Sequence, residues 1–154
     1  MEWIIEVFIA LYLAGSKATV TFYGGSEERI EELKRKYEIP ENVVFKGIVD
    51  KVPYHLHQAY VSSSYSELFA NACVEAMSEG LLAVLSNVDI AHRYYAKQTD
   101  GIQLFNAKKE LLEIIERMEQ EDYQQSNEQN LELAKQYSIE NVANIYRELL
   151  GIES

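Results

Sequence analysis

Residues 64–86 read Ser64-Tyr-Ser-Glu67-Leu-Phe-Ala-Asn-Ala-Cys-Val-Glu75-Ala-Met-Ser-Glu-Gly80-Leu-Leu-Ala-Val-Leu-Ser86. Three segments follow one another: a serine-rich loop, a short amphipathic helix expected over 69–79, and a fully apolar run over 81–86. Gly80 separates helix from run. An apolar run without a polar face reads as a strand buried on both sides, the kind found in a parallel sheet covered by helices. Two carboxylates, Glu67 and Glu75, stand eight positions apart, one in the loop and one in the helix. A carboxylate accepts hydrogen bonds from hydroxyls, and a helix start offers free backbone N–H groups to an anion. In series these groups are suited to grip a sugar, a phosphate and a ribose.

Working outward, the same alternation of strand and helix continues in both directions. Apolar periodicity over 3–13 predicts a helix ended by Gly15. Residues 18–23, rich in β-branched and aromatic side chains, predict a strand followed by a tight turn at Gly24-Gly25. Ser26 is the expected cap of a charged helix over 27–37, with acids early and Lys34, Arg35 and Lys36 late, in keeping with the helix dipole. Pro40 closes that unit, and a short strand over 43–46 ends at Gly47. A short helix is expected over 52–59 and a strand end over 60–63. Downstream, 92–97 reads as a short helix or turn, 101–105 as a strand, and 108–118 and 127–137 as helices. Ser138 would cap a last helix through residue 150, and polar 119–129 is the expected flexible connection. Strands alternating with helices at these spacings give βαβ units. The expected fold is α/β: a Rossmann-like parallel sheet with helices on both faces, forming one domain over 1–154. The chain opens on a helix, so the opening strand of a doubly wound nucleotide domain is missing or lies on another segment.

Composition narrows the function. The 154 residues carry 14 Lys and Arg against 25 Asp and Glu, a net charge of −11, which argues against nucleic-acid binding because phosphate backbones need basic patches. The single cysteine, Cys73, excludes an intramolecular disulfide, fits a reducing compartment and is expected in the core. The apolar run at 3–14 has Glu2 and Glu6 where a signal peptide has positive charge, and it is too short to span a bilayer. No transmembrane segment is expected, and the expected location is the cytoplasm, free or peripheral at the inner membrane face. His55 and His57 are two apart, poor spacing for ligands on a helix, so no metal site is expected and Tyr54, His55 and His57 read as surface or packing residues. A dinucleotide site is disfavoured by the lack of its glycine-rich loop.

The ordered landmarks, Tyr23-Gly-Gly25, Val43-Val-Phe-Lys-Gly47, Ser64-Tyr-Ser-Glu67 and Glu75-Ala-Met-Ser-Glu-Gly80, resemble the C-terminal, donor-binding domain of GT-B retaining glycosyltransferases, family 4 most closely. The resemblance covers residues 3–150. It implies that Glu67 binds donor-sugar hydroxyls or stabilises charge at the anomeric carbon, and that Glu75 bonds the ribose hydroxyls. It further implies that backbone N–H groups of Phe69, Ala70 and Asn71 face the diphosphate, that Gly24 and Gly25 allow close approach to ligand or partner domain, and that Lys46, Gly47 and Ile48 lie beside the base. The implied co-substrate is a nucleotide diphosphate sugar, a UDP-sugar, with no other cofactor. The implied partner is an N-terminal GT-B domain, absent from this chain, or a separate glycosyltransferase.

Departures from the family pattern bear on activity. Leu68 replaces the usual glycine after the first glutamate, Leu82 replaces a proline, Ser63-Ser64 replaces Pro-Ser, and Val88-Asp89-Ile90-Ala91 replaces a Gly-Gly turn. The family's basic pair for the diphosphate has no counterpart near the N-terminus. Because the departing diphosphate gains negative charge, its stabilisation without a metal requires Arg or Lys. The expectation is a donor-binding domain for sugar transfer to an unidentified acceptor, inactive alone. The alternative is a degenerate, non-catalytic interaction module that supports a partner glycosyltransferase.

Overall fold

The computed structural model describes residues 1–66 and 70–141. In chain order the elements are α1 (Glu2–Leu13), β1 (Val20–Tyr23), α2 (Glu27–Lys36), β2 (Val43–Gly47), a 3-10 turn (Tyr54–Leu56), β3 (Ala59–Ser62), α3 (Asn71–Ser78), β4 (Leu82–Ser86), α4 (Ile90–Ala96), β5 (Ile102–Phe105), α5 (Lys108–Met118) and α6 (Gln124–Gln136). They form two compact units: Met1–Pro53 with Phe105–Glu121, and Tyr54–Leu104 with the chain from Asp122 onward. Among the described residues no helix is long and apolar enough to cross a membrane.

The first unit is built on a parallel pair, β1 and β2, in the register Val20↔Val43, Thr21↔Val44 and Phe22↔Phe45. The last of these pairs stacks its rings at a centroid separation of 5.2 Å, a cross-strand contact that fixes the register. Ile4, Ile5, Val7, Phe8 and Leu11 of α1 recur at helical spacing and are buried, as are Leu111, Ile114 and Ile115 of α5, which packs on α1. Ser26 caps α2 as expected, its hydroxyl accepting from Arg29 N at 3.3 Å. Asn42, only 5% exposed, donates from Nδ2 to Phe8 O at 2.9 Å and Ala18 O at 3.1 Å, tying the end of β2's approach to α1 and to β1. A charged belt lies outside. Glu2 accepts from Lys36 at 2.6 Å, Arg29 at 3.0 Å and the Tyr37 hydroxyl at 3.2 Å, while Glu6 accepts from Lys108.

The second unit holds three strands in the order β3-β4-β5, with β3 and β4 parallel in the register Ala59↔Leu82 to Ser62↔Leu85. All five residues of β4 are buried, as the apolar run predicts. Cys73, Met77, Ala83, Leu85, Tyr95, Ile102, Leu133 and Ala134 form its core, and α3 packs on α6. At the centre Asn130 is fully buried and completely bonded. Its Nδ2 donates to Leu81 O at 2.7 Å and Gly101 O at 2.9 Å, and its Oδ1 accepts from Thr99 Oγ1 at 2.9 Å. Thr99 Oγ1 in turn accepts from Gly101 N at 3.0 Å. A Cβ on Gly101 would collide with the Asn130 carboxamide and Ser126 O, so glycine is required there for close packing.

Three expectations change. The strands form two separate ladders, β1-β2 and β3-β4-β5, rather than one. The helix expected over 52–59 shrinks to one 3-10 turn, because β3 begins at Ala59 to pair with Leu82. The helix expected over 127–137 is present as α6 but starts earlier, at Gln124, inside the connection expected over 119–129, and Asn130, Leu133 and Ala134 anchor it from its buried side. Ser138 Oγ accepts from Asn141 N at 3.2 Å, as a helix cap does, and the rest of that expected last helix lies outside the described residues.

Candidate functional site

In each unit the candidate residues follow the carboxyl ends of parallel strands, where open α/β sheets bind ligands. In the first unit, Gly24 and Gly25 follow β1 with φ of +84° and +82°, backbone that a side chain adopts only with strain. Gly24 N donates to Gly47 O at 2.6 Å, so the turns after β1 and β2 are held together. Ile48, next along, is 84% exposed, leaving that turn's outer surface open.

In the second unit, the loop after β3 leads to α3. Glu67, Leu68 and Phe69 lie outside the described residues. The helix begins at Asn71, two residues later than expected. Ala70 is its N-cap, buried, with φ +47° and ψ +49°, and is the one described non-glycine residue in the left-handed region. Ala70 O accepts from Cys73 N and Val74 N, and the N–H groups of Asn71 and Ala72 open the helix. Cys73, Ala76 and Met77 set the buried face of α3 and leave Glu75 exposed on its other side.

Glu75 is met there by a residue that the sequence reading set aside. The Tyr54 hydroxyl donates to Glu75 Oε2 at 3.2 Å, with Ala72 O at 3.4 Å. Burial, followed by the nearby Glu75 charge, raises the Tyr54 pKa well above its ordinary value, so the phenol keeps its proton. Sequence offered no signal for this pair: 21 positions separate the two residues, and the 3-10 turn that aims Tyr54 was itself read as a helix.

A second cluster steadies the loop that leads to Glu67. Ser86, at the end of β4, donates its hydroxyl to Ser64 O. His92 Nδ1 stands 3.0 Å from Ser86 O and 3.3 Å from Ser86 Oγ. Because Ser86 O is acceptor-only, the proton is assigned to Nδ1. Asp89, 3% exposed, caps α4 by accepting from His92 N at 3.1 Å. Asp89, which stands where the family pattern has a Gly-Gly turn, thus has a local structural partner. Among the described residues, no three of His, Cys, Asp and Glu converge on one point.

The family model described as "Glycosyl transferases group 1" matches residues 2–141. None of the curated protein sequences matches the chain. Among solved structures, the GtfA/B complex is similar with a TM-score of 0.83 and 20% identity, over 98% of this chain and 33% of that one. The pneumococcal O-GlcNAc transferase GtfA, solved with UDP and GlcNAc, gives 0.76 and 15% identity over 97% and 32%. Sucrose-phosphate synthase from Thermosynechococcus elongatus gives 0.73 and 22% over 97% and 43%. The chain therefore spans between a third and under half the length of these structures, and the likeness is one of fold: a Rossmann-like half of a GT-B architecture.

Proposed function

We propose that this chain, which belongs to the group 1 glycosyl transferases, is the donor-binding part of such an enzyme. It holds a nucleotide diphosphate sugar, and it contributes to transfer only with an acceptor-binding domain or partner opposite it. The observation that carries this reading is Glu75, exposed on α3 one turn beyond the N–H groups of Asn71 and Ala72. A carboxylate there suits a pair of vicinal hydroxyls, and the helix start suits a diphosphate. In the transfer, the bond from the anomeric carbon to the diphosphate oxygen breaks, a bond to an acceptor oxygen forms, and the acceptor's proton passes to the departing diphosphate or to solvent. Charge then collects on the nucleoside diphosphate, where the two N–H groups supply part of the required stabilisation. Glu67 is assigned to the sugar hydroxyls or the anomeric centre, and Gly24 and Gly25 to close approach of ligand or partner. UDP is the nucleotide to test first, because a GT-B structure of similar fold was solved with it.

Calorimetric titration with UDP is expected to show binding that Glu75→Ala weakens by about tenfold or more, the loss of hydrogen bonds to a charged acceptor. An intact, folded chain that takes up neither UDP nor a UDP-sugar would overturn the donor-site reading. It would favour the second one, a non-catalytic module that steadies a partner glycosyltransferase. That alternative is supported by the −11 net charge and by one similar structure being a two-component complex.

A further inference from the structure

The pairing of Tyr54 with Glu75 has a use beyond packing. We propose that Tyr54 is a positioning residue that holds the Glu75 carboxylate in the orientation needed to chelate the two ribose hydroxyls of a nucleotide; this rests on the donor-site reading of Glu75. An exposed glutamate on a helix has three rotatable side-chain torsions, and fixing them on binding costs entropy. Chelation of a vicinal diol needs both carboxylate oxygens turned to one side at once. Tyr54 is half-buried on a 3-10 turn directly after Pro53, and its ring has only two torsions. Its hydroxyl reaches Glu75 Oε2 at 3.2 Å and so fixes the carboxylate before any ligand arrives.

Lone-pair accounting allows both contacts. An ionised carboxylate has about four acceptor positions, of which the phenol uses one and a diol two. The phenol has a single proton, and the charged oxygen at 3.2 Å is a better acceptor than the Ala72 carbonyl at 3.4 Å. Because burial and the Glu75 charge both keep the phenol protonated, the donor is present throughout the working pH range.

The test compares UDP with 2′-deoxy-UDP, which lacks one of the two hydroxyls, by calorimetric titration of wild type, Tyr54→Phe and Glu75→Gln. Wild type is expected to prefer UDP. Tyr54→Phe keeps the ring and its packing; it is expected to weaken UDP about fivefold, the size of one hydrogen bond of ordinary strength, and to leave 2′-deoxy-UDP nearly unchanged. The preference then collapses toward that of Glu75→Gln. A purely structural role would weaken both nucleotides together, and the ratio of two affinities does not depend on the folded fraction. Full preference retained by Tyr54→Phe, or an equal loss for both nucleotides, would sink the positioning role while leaving the donor site standing. A wild-type chain that binds UDP without preferring it over the deoxy form, or a preference that survives Glu75→Gln, would remove Glu75 from the ribose and the Tyr54 proposal with it. Failure of the folded wild type to bind either nucleotide overturns both readings.

Discussion

Ala70 occupies left-handed backbone that costs an L-residue roughly 1–2 kcal/mol, at the N-cap of α3. Such strain is tolerated where the surroundings over-determine the conformation. Replacing it with glycine relieves the clash but loosens the unfolded chain, so Ala70→Gly is expected to stabilise the protein by about 0.5–1 kcal/mol, read from the urea midpoint. A lower midpoint would mean that the Ala70 methyl, buried in the core, outweighs the strain. Asn130 is the opposite case, a polar side chain with every group bonded. Asn130→Ala leaves the Leu81 carbonyl and the Thr99 hydroxyl short of a partner inside the unit, Gly101 O keeping the bond from Ala83 N, and a loss of about 3 kcal/mol is expected in thermal or urea unfolding.

At the scale of elements, α4 depends on its cap. Asp89→Ala removes the bond to His92 N and is expected to cost about 1 kcal/mol, whereas Asp89→Asn, which caps equally well, should unfold close to wild type. Glu2 ties α1 to the end of α2. The Lys36 ammonium beside it, with Arg29 and Tyr37, lowers its pKa from 4.5 to about 2. A depressed carboxyl pKa stabilises the fold above the ordinary value, and that contribution fades as pH falls from about 4.5 toward 2. Urea midpoints of wild type and Glu2→Gln should therefore differ at neutral pH and converge near pH 2; a constant gap would mean that the pair contributes nothing through charge. Most elements were legible in sequence because their cues are local: the apolar run of β4, the glycines after β1, the Ser26 cap and the α5 periodicity. What escaped the reading depends on distant partners. The split into two ladders is a matter of pairing, the late start of α3 hangs on the backbone of Ala70, and the first turn of α6 looks like part of a polar linker because the buried residues of that helix, Asn130, Leu133 and Ala134, all lie further along. The motif marks Glu75 as a candidate, whereas nothing in the sequence marks Tyr54, its hydrogen-bond donor.

For the molecule as a whole, any ligand that binds the folded chain stabilises it by mass action. At 100 times its dissociation constant, UDP should add about 2.7 kcal/mol, visible as a rise in Tm that Glu75→Ala shifts to higher nucleotide concentration. No change in Tm at saturating UDP would count against the donor site. A net charge of −11 also predicts that added salt, by screening the repulsion between the acidic chain and an anionic nucleotide, makes their encounter faster. The second unit carries one more consequence, for how this sequence can vary. Asn130 grips main-chain carbonyls of residues 81 and 101, atoms that every amino acid supplies. The helix that presents it is thus registered against the sheet without needing a particular side chain at position 81, while position 101 must stay glycine to let the Asn130 carboxamide approach. A saturation library of α6 should show position 130 nearly invariant and its solvent-facing neighbours freely exchangeable, so that lineages can rewrite the outer surface of this helix while its placement in the fold is inherited unchanged.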